Sequence, residues 1–355
     1  MGDKICEMVV PQLYDVENHR VLKPGAKARY NDAEFSVKDL GHVRPVIVRP
    51  DGVEPGKEDA VLLFQSGYMM PPTSVFGERF VPPLIEGLRK HNGVAAFYSP
   101  FGRGAEKPEE RIGRVSADEI RREVAACIKI LLDSEHFNTR YPARVVLGGH
   151  SLGGQMALNI LGNPEKYGFT NRDFSGALAY CPVPVPYSQM IAFSNETRSR
   201  INWKLFGGPV LTGTSPVLKS LTTGNGVHFD KEQARKFFFE GGKFDGDEEI
   251  LDRLHSDSGL YFLQTLLTNS SERISAGLKW KIAAIMTAHG DPIVSSTGAF
   301  KTVDALSDAG AEVIHSRIPG GHFSPFFQSD KEDPGDAPQT AEWHRLLIGK
   351  VLKGA

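Results

Sequence analysis

The chain has 355 residues, 40% of them apolar and 24% charged, with 41 basic side chains against 43 acidic ones and a formal net charge of −2. That length suits one large domain carrying an insertion. The charge balance leaves no basic footprint for nucleic acid, and no apolar run approaches the roughly 20 residues needed for a membrane span. Three widely spaced cysteines, Cys6, Cys127 and Cys181, make neither a disulfide framework nor a metal set, and the last two are expected to be small buried hydrophobes. The first 20 residues are interrupted by acidic side chains and hold no continuous apolar stretch, unlike a signal peptide, so a cytoplasmic setting is expected.

In chain order, short apolar and β-branched runs at 42–50, 60–67, 93–100, 144–150, 176–182, 281–290 and 312–321 read as strands. Several are apolar throughout, as parallel strands covered on both faces should be. Helical patterns fall at 78–91, at 116–136 behind a Ser116…Glu119 capping box, at 151–163, at 298–310 ending on a C-cap glycine, and at 340–354. Such alternation predicts a mostly parallel sheet with helices on both faces. Between about Pro184 and Leu278 the rhythm breaks into helical fragments with Gly, Pro and Ser interruptions. The stretch is too long for a loop. It is expected to form a mainly helical cap, or lid, over 184–278, leaving 1–183 and 279–355 as the core. Because the insertion leaves at the C-terminal end of the 176–182 strand, it should cover the sheet edge where ligands bind.

Gly148-Gly149-His150-Ser151-Leu152-Gly153-Gly154 lies between an apolar strand and a helical pattern. The G-x-S-x-G spacing places Ser151 on a tight strand-to-helix turn, where glycines two residues on either side leave the space that a strained serine backbone requires. The serine then sits over a helix N-terminus with unpaired N–H groups.

A nucleophilic serine needs a base, and the base needs an orienting acid. Two later strand ends supply them in that order. His289-Gly290-Asp291-Pro292 follows one apolar strand and Gly320-Gly321-His322-Phe323 follows the last. Asp291 and His322 are therefore the candidate acid and base. Competing histidines are less well placed: His289 neighbours the acid turn, His315 lies within a strand, His150 should pack beneath the serine, and His228 and His255 lie in the insertion. Asp173 precedes its strand and belongs to the opposite edge.

With these motifs in this order, together with the strand–turn pairs FQSGYMM and FYSPFGRG, the chain resembles the α/β-hydrolase superfamily over about 42–182 and 280–354. The resemblance implies an eight-stranded, mostly parallel sheet, a Ser151–His322–Asp291 triad, and an oxyanion hole from the Leu152 N–H plus a donor from the loop after the third strand. That donor is Tyr68, or else Met69; many relatives have His-Gly where this chain has Ser66-Gly67. Met69, Phe101, Phe323, Trp203 and Phe206 are candidate substrate contacts, fitting an apolar small-molecule or acyl substrate. Hydrolysis of an ester or thioester follows, with no metal or organic cofactor required. Acyl transfer, C–C or C–O lyase chemistry, or cyclisation on the same scaffold is the alternative.

Overall fold

The computed structural model describes residues 14–15, 20–21, 23–30, 32–41, 43–100, 112–137, 144–184, 216–229, 231–238, 251, 254, 257–261, 264, 274, 277–328 and 336–354. A short antiparallel ladder, β1 (Tyr14–Asp15) and β2 (Arg20–Val21), precedes the main sheet. The sheet itself comprises β3 (Lys27–Tyr30), β4 (Ala33–Val37), β5 (Val46–Pro50), β6 (Ala60–Gln65), β7 (Gly93–Tyr98), β8 (Arg144–His150), β9 (Gly176–Tyr180), β10 (Ile282–Ala288) and β11 (Glu312–Ile318).

Its spatial order is β11-β10-β9-β8-β6-β7-β5-β4-β3. From β7 to β11 every pairing is parallel, whereas β3, β4 and β5 are joined to one another and to β7 antiparallel. There are nine strands in this sheet where eight are expected, because the N-terminal stretch supplies a hairpin. In β3, exposed Lys27 and Arg29 alternate with buried Ala28 and Tyr30, the pattern of an edge strand wet on one side. Strands β6 to β10, by contrast, are almost wholly buried.

Strand β6 lies between β7 and β8, so the chain leaves β6 for one neighbour and later returns to the other. Such a reversal opens a crevice beyond the C-terminal strand ends, here between the loops after β6 and β8. Helices α1 (Val81–Lys90), α2 (Ala117–Leu132), α3 (Leu152–Gly162), α6 (Ser296–Asp308) and α7 (Asp336–Lys353) fall within a few residues of their sequence patterns. The Ser116–Glu119 capping box opens α2 as expected. Two more helices, α4 (Pro216–Thr223) and α5 (Lys231–Phe238), lie in the insertion. Most of 184–278 falls outside the described residues. Among the described residues, no helix is long and apolar enough to cross a membrane.

Buried rings underpin the C-terminal edge. Phe64 of β6 lies 5.1 Å from Phe97 of β7, and Phe80 sits edge to face with Tyr180 and Phe326, each at 5.4 Å. Such pairs add order-of-magnitude 1 kcal/mol each beyond their burial. Phe326 lies four residues after His322, so this floor also fixes the loop that follows β11.

Candidate active site

Ser151 ends β8 with φ 56° and ψ −120°, a left-handed backbone that a side chain adopts only when its surroundings impose it. Its N–H donates to Tyr180 O at 2.9 Å, and its carbonyl accepts from Val183 N–H at 3.2 Å. The flanking glycines are sterically required. A Cβ on Gly149 would stand 2.3 Å from the Gly153 carbonyl carbon, and one on Gly153 would stand 2.3 Å from Gln65 O. Leu152 opens α3, so its N–H belongs to the first turn, which has no intrahelical acceptor.

The loop after β6 touches Ser151. A Cβ on Gly67 would lie 3.1 Å from Ser151 Cβ and 3.3 Å from His150 O. Ser66 uses its hydroxyl to hold Pro71 O at 3.0 Å. Met69 has φ 63°, and its N–H donates to Asp257 Oδ2 at 2.8 Å.

The candidate acid and base meet. His322 Nδ1 donates to Asp291 Oδ2 at 2.8 Å, with both side chains almost completely buried. Asp291 Oδ1 accepts the N–H groups of Ile293 and Val294 at 2.8 and 2.9 Å, which locks the carboxylate. Among the described residues His322 Nε2 is buried and makes no hydrogen bond, so the Ser151–His322 bond is not formed in this geometry. Serine–base contacts often tighten only when substrate is bound. His150, one residue from the nucleophile, donates from Nε2 to His322 O at 3.0 Å, its ring centroid 4.5 Å from that of His322. Burial holds the His150 pKa well below its usual value, so this neighbour is neutral and braces the base without charge.

Compared by sequence, the chain matches no family model and no curated protein. Compared by structure, it is similar to a soluble variant of monoglyceride lipase from Saccharomyces cerevisiae in complex with a substrate analog. The TM-score is 0.55 at 15% identity, covering 93% of this chain and 97% of that one. It is also similar to 2-hydroxy-6-oxo-6-phenylhexa-2,4-dienoate hydrolase from Rhodococcus sp. strain RHA1, at TM-score 0.53 and 17% identity, covering 88% and 99%. A third similar structure is the monoacylglycerol lipase of Paleococcus ferrophilus, at TM-score 0.51 and 14% identity, covering 84% and 97%. The chain has the α/β-hydrolase fold.

Within this α/β-hydrolase fold, the loops bearing Ser151, Asp291, His322 and Tyr68 share one sheet edge, after β8, β10, β11 and β6. Tyr68 is buried, and its hydroxyl donates to Ser258 O at 2.7 Å. Phe323 is buried, its ring 5.2 Å from His150, 5.9 Å from His322 and 6.1 Å from Phe238 of α5. Phe101, Trp203 and Phe206 lie outside the described residues, as does His255. His315 pairs with Thr287 Oγ1 at 2.9 Å inside the sheet, and His228 is exposed on the insertion.

Two residues near the centre escape a reading of the sequence. Cys181 is buried as expected, yet it is no inert hydrophobe. Its Sγ, a carboxylate oxygen of Asp291 and a ring nitrogen of His322 lie within 4.8 Å of one another. Burial, then the Asp291 charge and its hydrogen bond, push the thiol pKa well up, so an S–H faces the carboxylate. A metal at this cluster would need a thiolate and an unprotonated Nδ1. The donor set instead has a protonated thiol and an Nδ1–H committed to Asp291. The signal was positional: Cys181 directly follows β9, on the edge where the acid arrives. The second residue is Asp257, in the insertion, for which no motif exists.

Proposed function

We propose that this chain is a serine hydrolase that cleaves an ester or thioester of a largely apolar small molecule. The observation that carries the reading is the buried Asp291–His322 pair, whose outer nitrogen is left unengaged next to the strained Ser151 turn. Ser151 Oγ attacks the substrate carbonyl while His322 Nε2 takes its proton. The negative oxygen is held by the N–H of Leu152 and of Tyr68; Tyr68 is preferred to Met69 because the Met69 N–H already serves Asp257. The tetrahedral intermediate collapses to an acyl-enzyme as His322 returns the proton to the leaving alcohol or thiol. Water, deprotonated by His322, then releases the acid and restores Ser151. Each backbone donor lowers the barrier by about 3 kcal/mol.

Residues 184–278 act as a cap on this reading. Phe238, Asp257 and Ser258 support it, since all three meet loops of the catalytic edge. Two of the fold neighbours are named as lipases of monoacylated glycerol, which agrees with an ester bond as the target. The test is Ser151→Ala against a panel of p-nitrophenyl esters and acyl thioesters. Turnover is expected to fall by about 10⁶-fold, as for other serine hydrolases stripped of their nucleophile, and fluorophosphonate labelling to vanish. Unchanged turnover would sink the proposal.

A further inference from the structure

The mechanism leaves one buried carboxylate unexplained. Asp257 is 1% exposed and belongs to the insertion, yet its bonds run to the loop after β6. Oδ2 accepts the Met69 N–H at 2.8 Å, and Oδ1 accepts the N–H of Ser258 at 2.7 Å. The carbonyl of Ser258 accepts the Tyr68 hydroxyl at 2.7 Å. Two adjacent residues of the insertion therefore grip two adjacent residues of the loop that lies against Ser151. The grip is itself anchored. Asp257 and Val227 exchange backbone hydrogen bonds at 2.7 and 3.2 Å, while the Ser258 hydroxyl donates to Val115 O and accepts the Tyr261 N–H at 3.0 Å.

Two physical facts make this arrangement more than packing. A buried carboxylate is tolerated only where donors meet it, so Asp257 is committed to the N–H groups it holds. Met69, at φ 63°, occupies a backbone region that a residue with a Cβ leaves unless something retains it. Asp257 Oδ2 is an acceptor aimed at the amide of that strained residue.

We propose that Asp257 is a positioning residue of the oxyanion hole. Its carboxylate holds the Met69 N–H, and with it the left-handed turn that aims the neighbouring Tyr68 N–H at the substrate oxygen. The inserted segment then completes the catalytic centre as well as covering it. This inference rests on Ser151 being the nucleophile.

The full chain is compared with Asp257→Ala, Asp257→Asn, Tyr68→Phe and Arg114→Ala. Steady-state hydrolysis of p-nitrophenyl butyrate is measured alongside the affinity for phenylboronic acid, which adds to the serine and places an anionic oxygen in the hole. Loss of a whole donor costs about 10²–10³-fold in kcat, so a displaced one in Asp257→Ala should cost about 10- to 100-fold, with a matching loss of boronate affinity. KM should stay within about three-fold, because ground-state contacts are untouched. Asp257→Asn keeps one acceptor oxygen of two and should fall between. Tyr68→Phe removes only the hydroxyl tie to Ser258 and should show a smaller loss of the same kind. Arg114→Ala loosens the insertion elsewhere, at the Leu221 and Thr222 carbonyls, and should leave boronate affinity alone.

Wild-type kcat and boronate affinity in a folded Asp257→Ala protein overturn the proposal. So does a rise in both, which would mean that the carboxylate obstructs the hole. If Asp257→Ala does not fold, the Asn and Phe variants decide: wild-type values in both overturn it. Should Ser151→Ala keep full turnover, it is the serine mechanism that fails. If Ser151→Ala is inert while the Asp257 variants behave as wild type, only the positioning role fails.

Discussion

Cys181 shows how much chemistry a single residue at a strand end can carry. Its backbone is left-handed, at φ 41°, with its N–H tied to Met286 O at 2.7 Å, so the side chain has little freedom to point elsewhere. Asp291 then has a thiol donor beside the Ile293 and Val294 N–H groups and His322. Removing one donor of several from an ion costs less than removing all, and an S–H is a weak one. Cys181→Ala should therefore lower kcat by about three- to ten-fold, near the 1 kcal/mol typical of one hydrogen bond, while KM holds. Cys181→Ser, which restores a donor of similar size, should recover most of the loss in an ester assay. An alanine variant as fast as wild type would reduce the thiol to a space-filler.

At the scale of elements, the catalytic edge depends on how closely α3 approaches β6. A methyl group on Gly153 would collide with two main-chain oxygens, Gln65 O at 2.3 Å and Ser66 O at 2.6 Å, neither of which has a rotamer to escape through. Gly153→Ala must push the helix from the strand, at about 1–3 kcal/mol by the usual cost of overpacking. It also moves the Leu152 N–H. A lowered melting temperature, together with fluorophosphonate labelling slowed by about ten-fold or more, is expected from the share of the barrier one oxyanion donor carries. Rapid labelling would show that the elbow tolerates the shift. This contact explains why the strand-to-helix turn at Ser151 was legible in the sequence: the geometry admits almost nothing but glycine at these positions, so it leaves a motif. Strands β6 to β10 were legible for a related reason, since burial on both faces demands apolar runs such as Ala60–Phe64. The β3–β4 hairpin was not, because an antiparallel edge mixes Lys27, Arg29 and Glu34 with its buried residues. Asp257 was invisible because its role comes from tertiary placement alone; any carboxylate in a long insertion looks the same.

For the whole molecule, acid should be the weak side. His150 and His344 are both fully buried and neutral; burial pushes the His344 pKa down to about 3 and holds His150 well below its usual value. The native state thus declines protons that the unfolded chain accepts below pH 6.5, its ordinary histidine value. The stability tied to His344 is fully present above that pH and drains as the pH falls from 6.5 toward about 3, by about 1.4 kcal/mol per pH unit, and His150 adds a loss of the same sign. His344, whose Nδ1 lies 3.3 Å from the Tyr180 hydroxyl, is the cleaner one to test because it stands apart from the triad. His344→Gln should show a shallower fall in melting temperature between pH 6 and pH 4 than the wild type. Parallel curves would mean that other groups set the acid limit.

If the proposed serine mechanism holds, the placement of Ser151, Asp291 and His322 after β8, β10 and β11 has a consequence for biosynthesis. A ribosome releases the nucleophile and its elbow well before the base that activates it. At typical elongation rates the interval between Ser151 and His322 is on the order of 10 to 30 seconds. Throughout it the nascent polypeptide holds a serine without a proton acceptor, and a growing sheet whose open edge has yet to receive its last parallel partner. On the proposed mechanism, hydrolytic power switches on only when the final strand docks, and until then the unfinished chain is chemically quiet but sticky, a client for any chaperone waiting at the tunnel exit.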